Sequence, residues 1–212
     1  VLLPGDPGRA LALAQSLLHE PRMFNHHRGL WGYTGMAPDG EPLTIQATGM
    51  GGPSAAIVLS ELISLGARRA IRVGTCGALV AGLALGELVI AREALCADGT
   101  SRALGAGERA SADPRLSDAL ARRAPSARLG TVVSVDVFYD TRERRTSYDA
   151  VAIEMEAAAL FTVGAAAGIP VACMLAVSDT FDEHGERERI AAGPLLEAAE
   201  AMGRAAIAAL EL

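Results

Sequence analysis

The sequence predicts an α/β fold in a single domain over residues 1–212. Three stretches carry that prediction. Residues 1–18, VLLPGDPGRALALAQSLL, read as the end of a strand, a Pro-Gly turn and a helix. Residues 70–79, AIRVGTCGAL, form an apolar strand-type run that breaks at Gly74-Thr75-Cys76-Gly77, as a strand does on leaving a sheet into a tight polar turn. Residues 151–168, VAIEMEAAALFTVGAAAG, read as a short strand entering an apolar helix, and 170–177 as a buried strand. No internal repeat, linker or low-complexity block divides the chain.

In the first unit Asp6 is an N-cap and Pro7 suits the first helical position, with Leu11, Leu13, Leu17 and Leu18 as the apolar face. Helix N-termini attract anions, so Gly5 and Arg9 are candidate phosphate contacts. A capped helix with a solvated Arg9 is the alternative. Asn25-His26-His27-Arg28-Gly29 then leads into two extended runs, 30–36 and 42–48, around Asp39-Gly40, which signals a hairpin. Neighbours on an extended chain point to opposite faces, so His26 and His27 are not read as a metal pair. Thr48-Gly49-Met50-Gly51-Gly52-Pro53-Ser54 opens a helix through residue 65, with Gly66 at its end. That turn lacks the GxGxxG order and a partner lysine, which makes it a weak dinucleotide motif.

A charge inside the strand at 70–79 needs a partner. The glycines allow close backbone approach, Thr75 adds a hydroxyl, and the planar fork of Arg72 suits phosphate, so the segment reads as an oxyanion site. Alternatively, Arg72 pairs with a buried carboxylate and the glycines merely turn the chain.

Residues 85–91 read as a strand, 98–113 as a polar loop, 114–124 as a helix with a charged outer face, and 129–137 as a strand ending at Phe138-Tyr139. In a chain only 4% aromatic, that pair is either core or a platform for a flat ring. Glu154 and Glu156 open the apolar helix after residue 151. They favour its positive end, or, because the helix has almost no polar face, they are buried and must be paired or bound to hydroxyls. The strand at 170–177 ends in Ser178-Asp179, a carboxylate at a carboxyl strand end, where open α/β sheets hold their ligands. A charged segment, 182–189, and an alanine-rich helix from residue 191 follow.

Composition excludes several classes. No run approaches the roughly 20 apolar residues of a membrane span. The net charge is -6, and no basic stripe with interleaved aromatics marks a nucleic-acid surface. All 19 basic residues are arginine, which removes a P-loop lysine, a Schiff base and a pyridoxal enzyme. Cys76, Cys96 and Cys173 are odd in number and without CxxC spacing, so neither a disulfide framework nor a zinc site is suggested and a reducing cytoplasm fits. There is no signal peptide, and the chain opens at Val1 inside a strand, so residues upstream are expected.

Seven motifs, VLLPGDPGR, NHHRGLWGYTG, TGMGGPSAA, IRVGTCGA, VDVFYD, AIEMEAAALF and AVSD, stand in the order of the nucleoside phosphorylase family, which includes purine nucleoside and uridine phosphorylases. The chain resembles that family over nearly its whole length. The resemblance implies a three-layer α/β/α domain around a mixed, partly barrel-like sheet, in a homo-oligomer, commonly a hexamer of dimers. It also implies attack of phosphate on C1′ of a purine nucleoside or deoxynucleoside, inorganic phosphate as cosubstrate, and no cofactor or metal.

Carried over, Gly5, Arg9, Arg72 and Thr75 are phosphate contacts, and Arg28 reaches a neighbouring subunit's phosphate. Met155 and Glu156 bind the ribose hydroxyls. Phe138 packs on the base with Ile153 and Glu154 beside it, and Cys76, Gly77 and Ser178 complete that pocket. Asp179 is the general acid that protonates the leaving purine at N7. Arg187 and Arg189 are both candidates for the arginine that assists it. The family's N-terminal histidine lies before Val1, and the loops at 99–113 and 140–150 are short. Arg142 and Arg144 partly resemble the uridine enzyme, but the glutamine expected at 142 is missing, so the resemblance favours purine. A nucleoside hydrolase would not need Arg9, Arg28 and Arg72 together. Intact Asp179 and Glu156 speak against a catalytically silent nucleoside-binding protein.

Overall fold

Five strands close into a ring at the centre of the sheet. The computed structural model describes residues 1–139, 147–182 and 186–210. Strand β5 (Ala70–Ala78) runs parallel to β10 (Val171–Phe181), which pairs antiparallel with β6 (Leu88–Cys96). From β6 the path passes to β8 (Arg128–Ser134), to β9 (Ala152–Glu154) and back to β5. Outside the ring, β1 (Leu2–Leu3) joins β5 in parallel and leads through β4 (Pro42–Gln46) and β3 (Gly32–Met36) to the edge strand β2 (His19–Asn25). Two short strands, β7 (Arg109–Ser111) on β6 and β11 (Arg187–Arg189) on β10, complete the mixed sheet.

Helices cover both faces. On one, α1 (Pro7–Leu17), α4 (Pro114–Arg123) and α6 (Ala192–Leu210) bury Leu13, Leu120 and Met202 against Ile71, Val73 and Met174. On the other, α2 (Gly52–Ser64) and α5 (Ala157–Ala167) bury Leu59 and Leu160 against Cys173 and Leu175, with the short α3 (Gly99–Ala103) beside them. The sequence accounts for the placement of α5. Its near-continuous Ala and Gly face lets it sit tight on the sheet, where a Cβ at Gly164 would overlap Val171. Its end is set by Gly168 in the left-handed region at φ 69.

Several boundaries differ from the sequence reading. Strand β5 does not break at Gly74 but continues to Ala78, because β10 pairs alongside it from Val171 to Asp179. The expected loop at 98–113 contains α3, capped by Asp98, and β7. The strand expected at 85–91 starts at Leu88, after Gly86 at φ 85, and runs to Cys96. Strand β8 stops at Ser134, so Phe138 and Tyr139 lie beyond it and are exposed rather than core. His26 and His27 are not on an extended chain. They enter a 3-10 turn, and their rings stack at 5.2 Å.

Candidate active site

The parallel strands β1, β4, β5 and β10 deliver their carboxyl ends to one side of the sheet, and the polar residues gather there. The turn after β1 is tied to the glycine turn after β4, with Gly49 N–H donating to Gly5 O at 3.0 Å. Asp6 caps α1 by accepting from Arg9 N–H at 2.7 Å, which fixes Arg9 in the first helical turn.

Arg72 is 3% exposed. Its Nε donates to Glu154 Oε2 at 3.1 Å and its Nη2 donates to Glu156. The other oxygen of Glu156 accepts Gly51 N–H at 2.6 Å, so the glycine-rich turn grips a carboxylate. Burial alone would depress the Arg72 guanidinium, but Glu156 and then Glu154 outweigh it and hold the group above its ordinary value. Burial depresses Arg9 from its ordinary value, with Asp6 opposing and Arg72 adding to the effect. Among the described residues the Nη1 atoms of both arginines are buried without a hydrogen-bond partner, and Arg72 Nη1 lies 4.0 Å from where a Cβ at Gly5 would stand. Both readings of Arg72 therefore meet here: it pairs with buried carboxylates and keeps one donor group unmatched.

The second cluster surrounds Asp179 at the end of β10, where it is 6% exposed. Oδ1 accepts from Arg187 Nε at 2.6 Å, and Arg189 Nε lies 3.3 Å away. The Ser178 hydroxyl lies 2.7 Å from Asp179 Oδ2 and 3.2 Å from Cys76 O. Both arginines reach the acid because β11 folds back on β10 with Asp179 opposite Arg189 and Phe181 opposite Arg187. Arg187 also stands over the Phe138 ring, 4.8 Å from its centroid. Gly77 leaves a gap between Ile153 and Phe181, whose side chains would lie 3.2 and 3.5 Å from a Cβ there.

Two guanidiniums with buried Nη1 atoms, joined through β5 and β10 to a carboxylate beside an exposed ring, are the setting in which the comparisons with known proteins fall. A family profile described as the phosphorylase superfamily matches residues 1–212. The chain belongs to the phosphorylase superfamily. A DeoD-type purine nucleoside phosphorylase of Oceanobacillus iheyensis is 38% identical over 191 residues, covering 84% of this chain and 81% of that protein. One of the same name from Bacillus cereus is 36% identical over 203 residues, covering 89% and 86%. Another, from Clostridium novyi, is 36% identical over 203 residues, covering 89% and 87%.

Within this superfamily member the structure brings Gly5, Arg9, Arg72 and Glu156 together, with Thr75 half-buried three residues beyond Arg72. Arg28 is exposed, in a 3-10 turn at φ 56. Met155 lines a cleft with Met50, Gly51, Thr100 and Asp136.

Two expected base contacts need correction. Glu154 does not face a base, since its carboxylate is fully enclosed by Arg72, Ser134 and the first turn of α5. The Cys76 side chain turns into the core, with its thiol 3.8 Å from Ala176 O, so only its backbone borders the site. Arg142 and Arg144 lie outside the described residues. Ser134 and Gly51 were missed by the sequence reading. Ser134 is opposite Glu154 in the β8–β9 register, a pairing that appears only once those strands are aligned. Among the described residues no helix is long and apolar enough to cross a membrane.

Proposed function

We propose that this chain catalyses the reversible phosphorolysis of purine ribonucleosides and deoxyribonucleosides, giving the free base and the pentose 1-phosphate. The observation that carries this reading is that Arg9 and Arg72 each keep a buried Nη1 without a partner among the described residues, that of Arg72 beside Gly5. A buried donor without a partner is costly, and a phosphate dianion would match both.

A phosphate oxygen attacks C1′ as the bond to the base breaks, and positive charge develops on the sugar. Arg9 and Arg72 hold the dianion in place, which lowers the entropic cost of the encounter and sets negative charge against the forming cation. Glu156 and Met155 take the ribose hydroxyls. The base stacks on Phe138 beside Ile153, with Gly77 and Ser178 bordering it. Asp179 delivers a proton to N7 as the bond breaks, so that the purine leaves neutral. General acid catalysis of this kind contributes roughly 100- to 10,000-fold. The names of the relatives favour purine over uridine.

The reading carries with it a homo-oligomer in which the exposed Arg28 reaches a neighbouring copy's phosphate, a cytoplasmic setting, and inorganic phosphate as cosubstrate with no organic cofactor. The test is base release from inosine, adenosine and uridine, each with and without phosphate. Phosphate-dependent release from purine nucleosides is expected. Release without phosphate would indicate hydrolysis, preference for uridine would overturn the purine reading, and no turnover would overturn the enzyme.

A further inference from the structure

We infer that Glu154 and Ser134 are positioning residues that aim Arg72 at phosphate. The inference rests on the phosphate role of Arg72 proposed above.

The Glu154 side chain is fully buried at the end of β9. Its Oε2 accepts Glu156 N–H at 2.9 Å, Ala157 N–H at 3.0 Å and Arg72 Nε at 3.1 Å. Its Oε1 accepts the Ser134 hydroxyl and Ala157 N–H at 3.0 Å. Ser134, also fully buried, accepts Ala158 N–H at 2.9 Å. The carboxylate is thus locked to β8, to β5 and to the start of α5 at once.

Glu156 differs. Its carboxylate oxygens have two partners among the described residues, Gly51 N–H and Arg72 Nη2, and it is 5% exposed. Arg72 therefore has two carboxylate contacts: Glu154 on Nε, itself fixed by Ser134 and the first N–H groups of α5, and Glu156 on Nη2, held besides by Gly51 N–H, while Nη1 faces Gly5. Fixing Nε sets the plane of the guanidinium, because the fork is rigid. Release of Glu156 toward a ribose would leave that plane unchanged; loss of Glu154 would not. The first N–H groups of α5 are taken by Glu154 and Ser134, so this helix end serves to hold the anchor rather than to bind an anion directly.

The test is titration of each protein with inorganic phosphate by calorimetry, alongside steady-state turnover and thermal unfolding. In Glu154→Gln the phosphate dissociation constant should rise roughly 10-fold or more, the scale of one hydrogen bond to a charged group. Phosphate affinity should fall by more than turnover at saturating phosphate or the nucleoside KM changes, because Glu154 touches the phosphate-binding guanidinium directly and the ribose residue Glu156 only through its backbone N–H. Phosphate affinity within about twofold of wild type, whatever happens to the melting temperature, would reduce Glu154 to a helix-capping role and overturn the inference. If Glu154→Gln does not fold, Ser134→Ala decides, since it keeps both charges. It should weaken phosphate by roughly threefold or more, and an unchanged affinity overturns the inference there too. Wild-type protein that binds no phosphate would overturn the proposed function itself, whereas wild-type binding matched by the variants overturns only this inference.

Discussion

The guanidinium of Arg72 lies face-on over Gly74, two residues further along the same strand: a Cβ at Gly74 would stand 2.7 Å from the central carbon, 2.8 Å from Nη2 and 3.0 Å from Nε. The glycine is therefore a slot for the arginine. Gly74→Ala should drive Arg72 off Glu154 and Glu156, cost about 1–3 kcal/mol through overpacking, and raise the phosphate KM roughly 10-fold. Phosphate saturation curves check this, and an unchanged KM would mean that the guanidinium can move without consequence.

Asp179→Asn keeps the shape of the site but removes the acid. Turnover of purine nucleosides should fall by roughly 100- to 10,000-fold while phosphate binding stays close to wild type. Rate and phosphate titration measured on the same preparation separate the two. Equal losses in both would count against the proton-donor role.

Arg187 and Arg189 share one carboxylate oxygen, yet their positions differ. Arg187 is nearer at 2.6 Å, with a side chain 28% exposed, whereas Arg189 is at 3.3 Å with 70% exposed. Arg187 also contacts the Phe138 ring. Arg187→Ala should therefore lower kcat for purine nucleosides more than Arg189→Ala, by roughly 10-fold, because the exposed partner is screened by water. The reverse order would move the assisting role to Arg189.

Burial pushes the thiols of Cys76 and Cys173 above their ordinary value, and both are enclosed in the core. Neither should be alkylated by iodoacetamide in the folded protein at pH 8, and both should react in guanidinium chloride. Peptide mass mapping reads the result; rapid labelling of Cys76 in the native state would place its side chain in the open site after all.

Much of the fold was legible because local chemistry and tertiary position agree. Asp6, Pro7, Pro53, Gly66 and Gly168 mark helix ends by rules that act within a turn. The edge strand β2 was not legible. Its HEPRMFN sequence has no alternation, and six of its seven residues are exposed, so pairing with β3 alone makes it a strand. At the site, single residues such as Arg72 and Asp179 stood out because a charge in or just after an apolar strand is expensive. Their partners did not. Glu154 lies 82 residues from Arg72, and only the antiparallel β5–β9 register, with Gly77 opposite Ile153, brings them together.

The closed ring also dictates an order of assembly. Strand β10 is the one that seals it, pairing with β5 and with β6, yet it is made about a hundred residues after β5. Until Val171–Phe181 has left the ribosome, β5 and β6 each present an unpaired edge rich in apolar residues. Such long-range closure is slow, and exposed edges in the interval invite pairing with other chains. The active site is therefore complete only once β10 has joined the ring and carried Asp179 into place.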